Sequence, residues 1–262
     1  MRLAEDLPDG ILRDVDRLTV DRNGRLPESF MVTEGITGHV APGQGYRIAN
    51  ADLVPTDGED AQDFPPVTAP ASAPPHVRLT GTWDGGTGGD PTLGNIFGGV
   101  GTLTLDRTSF EIPAIASTPE ALGFFGASLI GPEDTFSFHA DIDLPVTVTA
   151  FGRNYVDGFL HVTDLGVGSY IEYHDMPHLH MPLDEQAGGY MLIGRRDDSD
   201  YLITAFRIPF GQALYTAPEV LHADGYLIGR YMVIYAVTEN YSNVIFRSPD
   251  GDPVNPVIRE AV

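Results

Sequence analysis

The chain has 262 residues, with 37 acidic and 15 basic side chains, a formal charge of −22 and no cysteine. This acidity argues against nucleic acid or an anionic membrane as a partner, because phosphates call for a basic surface; its plain reading is solubility, as in a salty habitat. Disulfides, thiolate ligands and a cysteine nucleophile are excluded, while a hydrophobic share of 42% and an aromatic share of 10% are enough for a real core.

The length suits one large all-β domain or two small ones. No apolar run is long enough to cross a bilayer, and Met1 to Asp6 lacks the apolar stretch of a secretory signal, so a cytoplasmic protein is expected. In chain order, 35–40 and 46–51 read as strands. Residues 55–63 are acidic, and 64–75 are rich in Pro, Ala and Ser, which suggests an extended connection. Residues 84–101 hold many glycines but lack the Lys-Ser/Thr ending of a phosphate loop, so they read as a flexible loop. Strands are expected over 101–105, 136–142, 146–151, 158–162, 168–174, 190–194, 201–208, 213–216, 226–238 (broken near Gly229) and 243–247. The one clear helix starts at Ser117-Thr118-Pro119-Glu120, a capping-box pattern with an early proline, and runs through Phe125 before Gly126. Many short strands between turn signals suggest a sandwich or barrel. The expected organisation is an N-terminal extension over 1–100, a barrel over 101–250 and a tail over 251–262. A decayed second barrel within the first hundred residues would also fit the length.

The chemistry concentrates in Tyr173-His174-Asp175-Met176-Pro177-His178-Leu179-His180-Met181-Pro182-Leu183-Asp184-Glu185 and, later, His222. On a strand, His178 and His180 point the same way, so their rings can converge on one ion. Glu185 has the opposite parity, and a turn at Pro182 and Asp184 would bring it back. Three imidazoles and a carboxylate suit one divalent transition metal such as zinc, iron, manganese or nickel.

His-x-His-x4-Glu followed by a distant His resembles the metal motif of the cupin superfamily. Gly168 before the pair, Gly188, Gly189 and Gly194 after the acid, and Gly211 and Pro218 before His222 extend the likeness over roughly 141–247. The second motif departs from the usual spacing: Pro218 sits one position closer to the histidine, and Glu219-Val220 replaces the glycine region. The resemblance implies a jelly-roll barrel with His178, His180, Glu185 and His222 as ligands, and a homodimer through sheet faces or swapped N-terminal strands. It does not imply one reaction.

Around this motif, His174 can line the same pocket or join the metal shell. Tyr190 and Tyr215 are candidates for substrate contact or acid–base work, otherwise core residues with a polar edge. Asp224 and Arg230 can orient a ligand or bind a carboxylate or phosphate, or simply form surface salt bridges. Asp184 is a substitute ligand if the register slips. His139, His161 and Trp83 read as structural. A serine-hydrolase elbow and a dinucleotide fingerprint are absent. Three functions follow: an isomerase, epimerase or lyase moving a proton on a sugar or hydroxy/keto acid; a non-haem iron dioxygenase; or a non-catalytic binding module.

Overall fold

A computed structural model describes residues 2–3, 6–56, 65, 67–68, 72–85, 101–163 and 167–261. The expected glycine-rich loop and most of the acidic and Pro/Ala-rich connection lie outside the described residues. The protein is all-β, with one large mixed sheet and a small three-stranded sheet of Thr135–Phe136, Tyr46–Ala49 and Asp52–Pro55.

Strand pairing in the large sheet closes a ring. It runs from Val77–Asp84 to Asp200–Arg207, Gly188–Asp197, Leu221–Ile234, Tyr170–His174, Tyr241–Arg247 and Gly101–Leu105, then back to Val77–Asp84. Closing a sheet on itself removes the exposed edge that an open sheet presents. Leu221–Ile234 is the hinge of the architecture. Its first half pairs with Gly188–Asp197 in the ring, and its second half pairs with both Leu144–Phe151 and His178–Pro182. Phe30–Val40 pairs along Leu144–Phe151, so residues before 100 extend the same sheet. Two buried clusters fill the interior. One gathers Leu79, Leu103, Ile112, Phe151, Leu192 and Phe206; the other gathers Tyr46, Leu53, Phe136, Leu179, Met181 and Ile234.

The helix Pro119–Phe125 forms as its sequence predicts. The Thr118 side chain accepts from the Ala121 N–H, and Gly126 ends the helix at φ 86°. Three expected strands differ. Residues 158–162 are not extended: Val156–Leu160 is a wide helical turn in which Tyr155 stacks on Phe159. Its buried side chains recur at helical rather than alternating spacing, and Gly158 abuts Ser29 so closely that a Cβ would meet the Ser29 Oγ at 1.7 Å. Of 136–142, only Phe136 is strand, as the end of Thr135–Phe136, because the His139 N–H turns to the Tyr215 hydroxyl (3.1 Å) instead of a neighbouring backbone. The expected break near Gly229 is a positive φ of 97° inside one continuous strand, Leu221–Ile234, and extension stops before Tyr235.

Candidate metal centre

The alternation of β side chains builds the site. In Tyr170–His174, residues 170, 172 and 174 share a face. The register sets Glu172 opposite His222 on one side and opposite Asn243 on the other. Asn243, Glu172 and His222 therefore form a row across three strands, the spacing at which cross-strand side chains meet. Asp224, two residues beyond His222, lies on the same face and is the acceptor of a short hydrogen bond from the Tyr170 hydroxyl. The chain leaves His174, bends through Asp175–Pro177 and enters the next strand at His178. His174 and His178 thus come from two strands, not from one extended run.

His174, His178 and His222 converge, each offering one ring nitrogen within 4.8 Å of the others. All three are buried. The Nε2 atoms of His174 and His222 are 3.1 Å apart. Two nitrogens sharing an ion at about 2.0–2.1 Å would be separated by about 2.9–3.4 Å, so this spacing fits a metal. The His222 Nδ1–H donates to the Val220 carbonyl at 2.9 Å, which leaves the Nε2 lone pair facing its partners. A backbone acceptor behind a ligand imidazole is the usual way its tautomer is set.

Burial, reinforced by neighbouring imidazoles, pushes His222 down to about 3 and holds His178 well below its ordinary value. Burial also takes His174 down to about 4. All three rings are therefore neutral at pH 7, as metal ligation requires. Glu172 stands beside them, with Oε1 3.7 Å from His222 Nε2 and Oε2 accepting from Asn243 Nδ2 at 3.0 Å. Burial, then the nearby Asp224 charge, raises Glu172 to about 8. The group opens onto a cavity of about 350 Å³ whose walls include His174, His178, Glu172, Tyr235, Val237 and Tyr241. A chamber of about 20 Å³ lies behind, bounded by His178, Glu172, Asp224 and Arg22.

Of the sequence candidates, His178, His222 and His174 meet here. His180 is fully buried but turns toward Asp224, with Nε2 3.5 Å from its Oδ2. Glu185 is exposed in the turn after Pro182, where Asp184 caps the backbone N–H groups of Gln186 and Ala187. The carboxylate beside the histidines is Glu172. Tyr190 is hydrogen-bonded at the surface to Glu260 and Arg207. Tyr215 lies in the second core cluster, its hydroxyl accepting from His139. Arg230 forms a bidentate surface pair with Glu34 (2.7 and 3.0 Å), and Asp224 serves Tyr170 and His180. Sequence reasoning missed Glu172, Asn243, Tyr235 and Arg17. Glu172 carried a usable signal, since Glu-x-His on the expected strand 168–174 puts both side chains on one face. The other three join the site through contacts between distant segments, which leave no local trace.

No family model matches this chain, and no curated protein matches it.

Proposed function

We propose that the protein is a metal-dependent enzyme of the cupin type that moves a proton on a small oxygenated substrate, as an isomerase, epimerase or lyase. The observation that carries this reading is the convergence of three buried, neutral imidazoles on one point at the end of a substrate-sized cavity. His174, His178 and His222 would hold one divalent transition ion, with Glu172 adjacent. Three imidazoles with a carboxylate beside them match the residue types that the cupin resemblance implies, but His174 and Glu172 stand where the spacing gave His180 and Glu185. When bound, such an ion supplies Lewis-acid polarisation of a substrate oxygen. Glu172 faces the cavity from the strand floor, and the Asn243 amide holds one of its oxygens. Raised to about 8, it carries its proton at pH 7 without a cation nearby; a bound cation would favour the ionised form, which is placed to take a proton from a substrate carbon and return it.

The walls favour a second reading. Tyr235, Val237 and Tyr241 make one side of the cavity largely apolar, which suits a non-haem iron dioxygenase using the same ligands. Elemental analysis separates the two. Protein purified without added metal is compared with His222→Ala. Stoichiometric zinc, manganese or nickel that disappears in the variant supports proton-transfer chemistry; iron that disappears supports the oxygenase and directs the next assay to oxygen uptake. No metal in either protein after reconstitution overturns both and leaves a binding module.

A further inference from the structure

The cavity in front of the histidines has an asymmetric mouth. Among the described residues that line it, Arg17 is the one cation, in a chain whose net charge is −22. Arg17 stands on the short helix Val15–Leu18. Its side chain is 43% exposed, and its ion pair is a loose 3.9 Å approach to Asp14. That distance leaves the planar fork of guanidinium N–H groups available for a carboxylate. The lining also includes Tyr235, Ala236 and Val237, and Tyr241, which stands opposite His174 across the strand pair. Acidic Glu239 lies on the same lining.

We propose that this cavity binds a small monocarboxylate with an apolar or aromatic body, its carboxylate paired with Arg17 and its far end directed at the histidines. The inference rests on the proposed reading of the site and narrows its substrate to acids rather than sugars. A sugar would set hydroxyls against Ala236, Val237 and the Tyr235 ring, while Thr238 and Asn243 on the same lining are already engaged with Asp175 and Glu172, a costly arrangement. An acid with an apolar body loses water from the part that meets those walls and keeps a charged partner at the rim. One arginine matches one negative charge, and Glu239 works against a second. A volume of about 350 Å³ accommodates an aromatic ring with a short side chain.

The test is calorimetric titration of zinc-reconstituted protein with 3-phenylpropionate, its neutral amide 3-phenylpropanamide, phenylsuccinate and glucose. The acid is expected to bind about tenfold or more tighter than the amide, and more tightly than the dianion or the sugar. Arg17→Gln, at an exposed site, should bring the acid down to the level of the amide, leave the amide unchanged and leave the zinc content unchanged; Arg17→Lys should fall between. Equal binding of acid and amide, preference for glucose or phenylsuccinate, or no binding of the acid overturns the proposal. So does an acid affinity that survives Arg17→Gln but vanishes on zinc removal, since the carboxylate would then sit on the ion. If the protein holds no divalent transition metal at all, the proposed enzyme reading fails by itself. The Arg17-dependent preference for the acid is still read on that metal-free protein.

Discussion

Two glutamates near the histidines have opposite surroundings, and that contrast is decisive at the scale of single residues. Glu185 is exposed in a turn, whereas Glu172 is buried beside His222 and held by Asn243. Glu172→Gln should weaken metal binding about tenfold or more, the range seen when a group supporting a metal shell is lost. Glu185→Gln should leave it unchanged. Competition of each variant with a chelator of known affinity measures both. The reverse order would return the carboxylate role to the motif spacing. A second pair of variants tests the imidazoles. His174→Ala should strip most of the metal because His174 Nε2 is 3.1 Å from its His222 counterpart, while His180→Ala should retain it because His180 faces Asp224. Inductively coupled plasma analysis of the two proteins, purified in parallel, gives the answer directly.

At the scale of elements, the site depends on a bend and on a strand that changes partners. The bend between His174 and His178 is clasped from across the cavity. Asp175 accepts from Thr238 Oγ1 at 2.6 Å and from Asn240 Nδ2 at 2.7 Å, and its own N–H donates to the Asn240 carbonyl at 3.1 Å. Asp175→Ala should cost about 1–2 kcal/mol, two side-chain hydrogen bonds at a partly exposed site, and should also lower metal affinity by releasing the two flanking histidines. Urea unfolding and the chelator competition together check this; lost stability with unchanged affinity would make the clasp purely structural. In Leu221–Ile234, Gly229 carries φ 97°, and a Cβ there would lie 2.9 Å from the Ala187 Cα. Gly229→Ala should therefore destabilise by about 1–3 kcal/mol, read as a lower urea midpoint. These elements also mark what the sequence could tell. His178 and His222 were legible because they stand near turn signals on recognisable strands, and the all-β class was legible from the density of such strands. Glu185 misled because parity along one chain segment cannot say which strand becomes the neighbour. The cross-strand row Asn243–Glu172–His222 exists only through pairings between distant segments. Residues 158–162 misled because a glycine followed by apolar residues fits a strand and a helical turn equally well until the Tyr155–Phe159 stack selects the turn.

For the whole molecule, burying three imidazoles and a carboxyl group in one place makes folding depend on pH in a specific way. The histidines have an ordinary value of 6.5, and burial takes His174 to about 4 and His222 to about 3, with His178 also well below it. The unfolded chain therefore binds more protons than the folded one below pH 6.5, and stability falls as the pH drops through that window. Glu172 acts in the opposite sense. Its value rises from 4.5 to about 8, so the folded state holds the extra proton, and stability falls as the pH rises from 4.5 to 8. Between 4.5 and 6.5 three imidazoles oppose one carboxyl group and prevail; above 6.5 the carboxyl group acts without them. Protein stripped of metal should therefore have its highest urea midpoint near pH 6.5 and lose stability toward both sides. Glu172→Gln should abolish much of the loss between pH 6.5 and 8 while leaving the acid-side loss in place. Adding metal should raise the midpoint most on the alkaline side, where neutral imidazoles and an ionised Glu172 are the forms that bind it. An alkaline loss that is the same in the wild type and in Glu172→Gln would mean that the general repulsion of a −22 chain, and not this buried group, governs stability there.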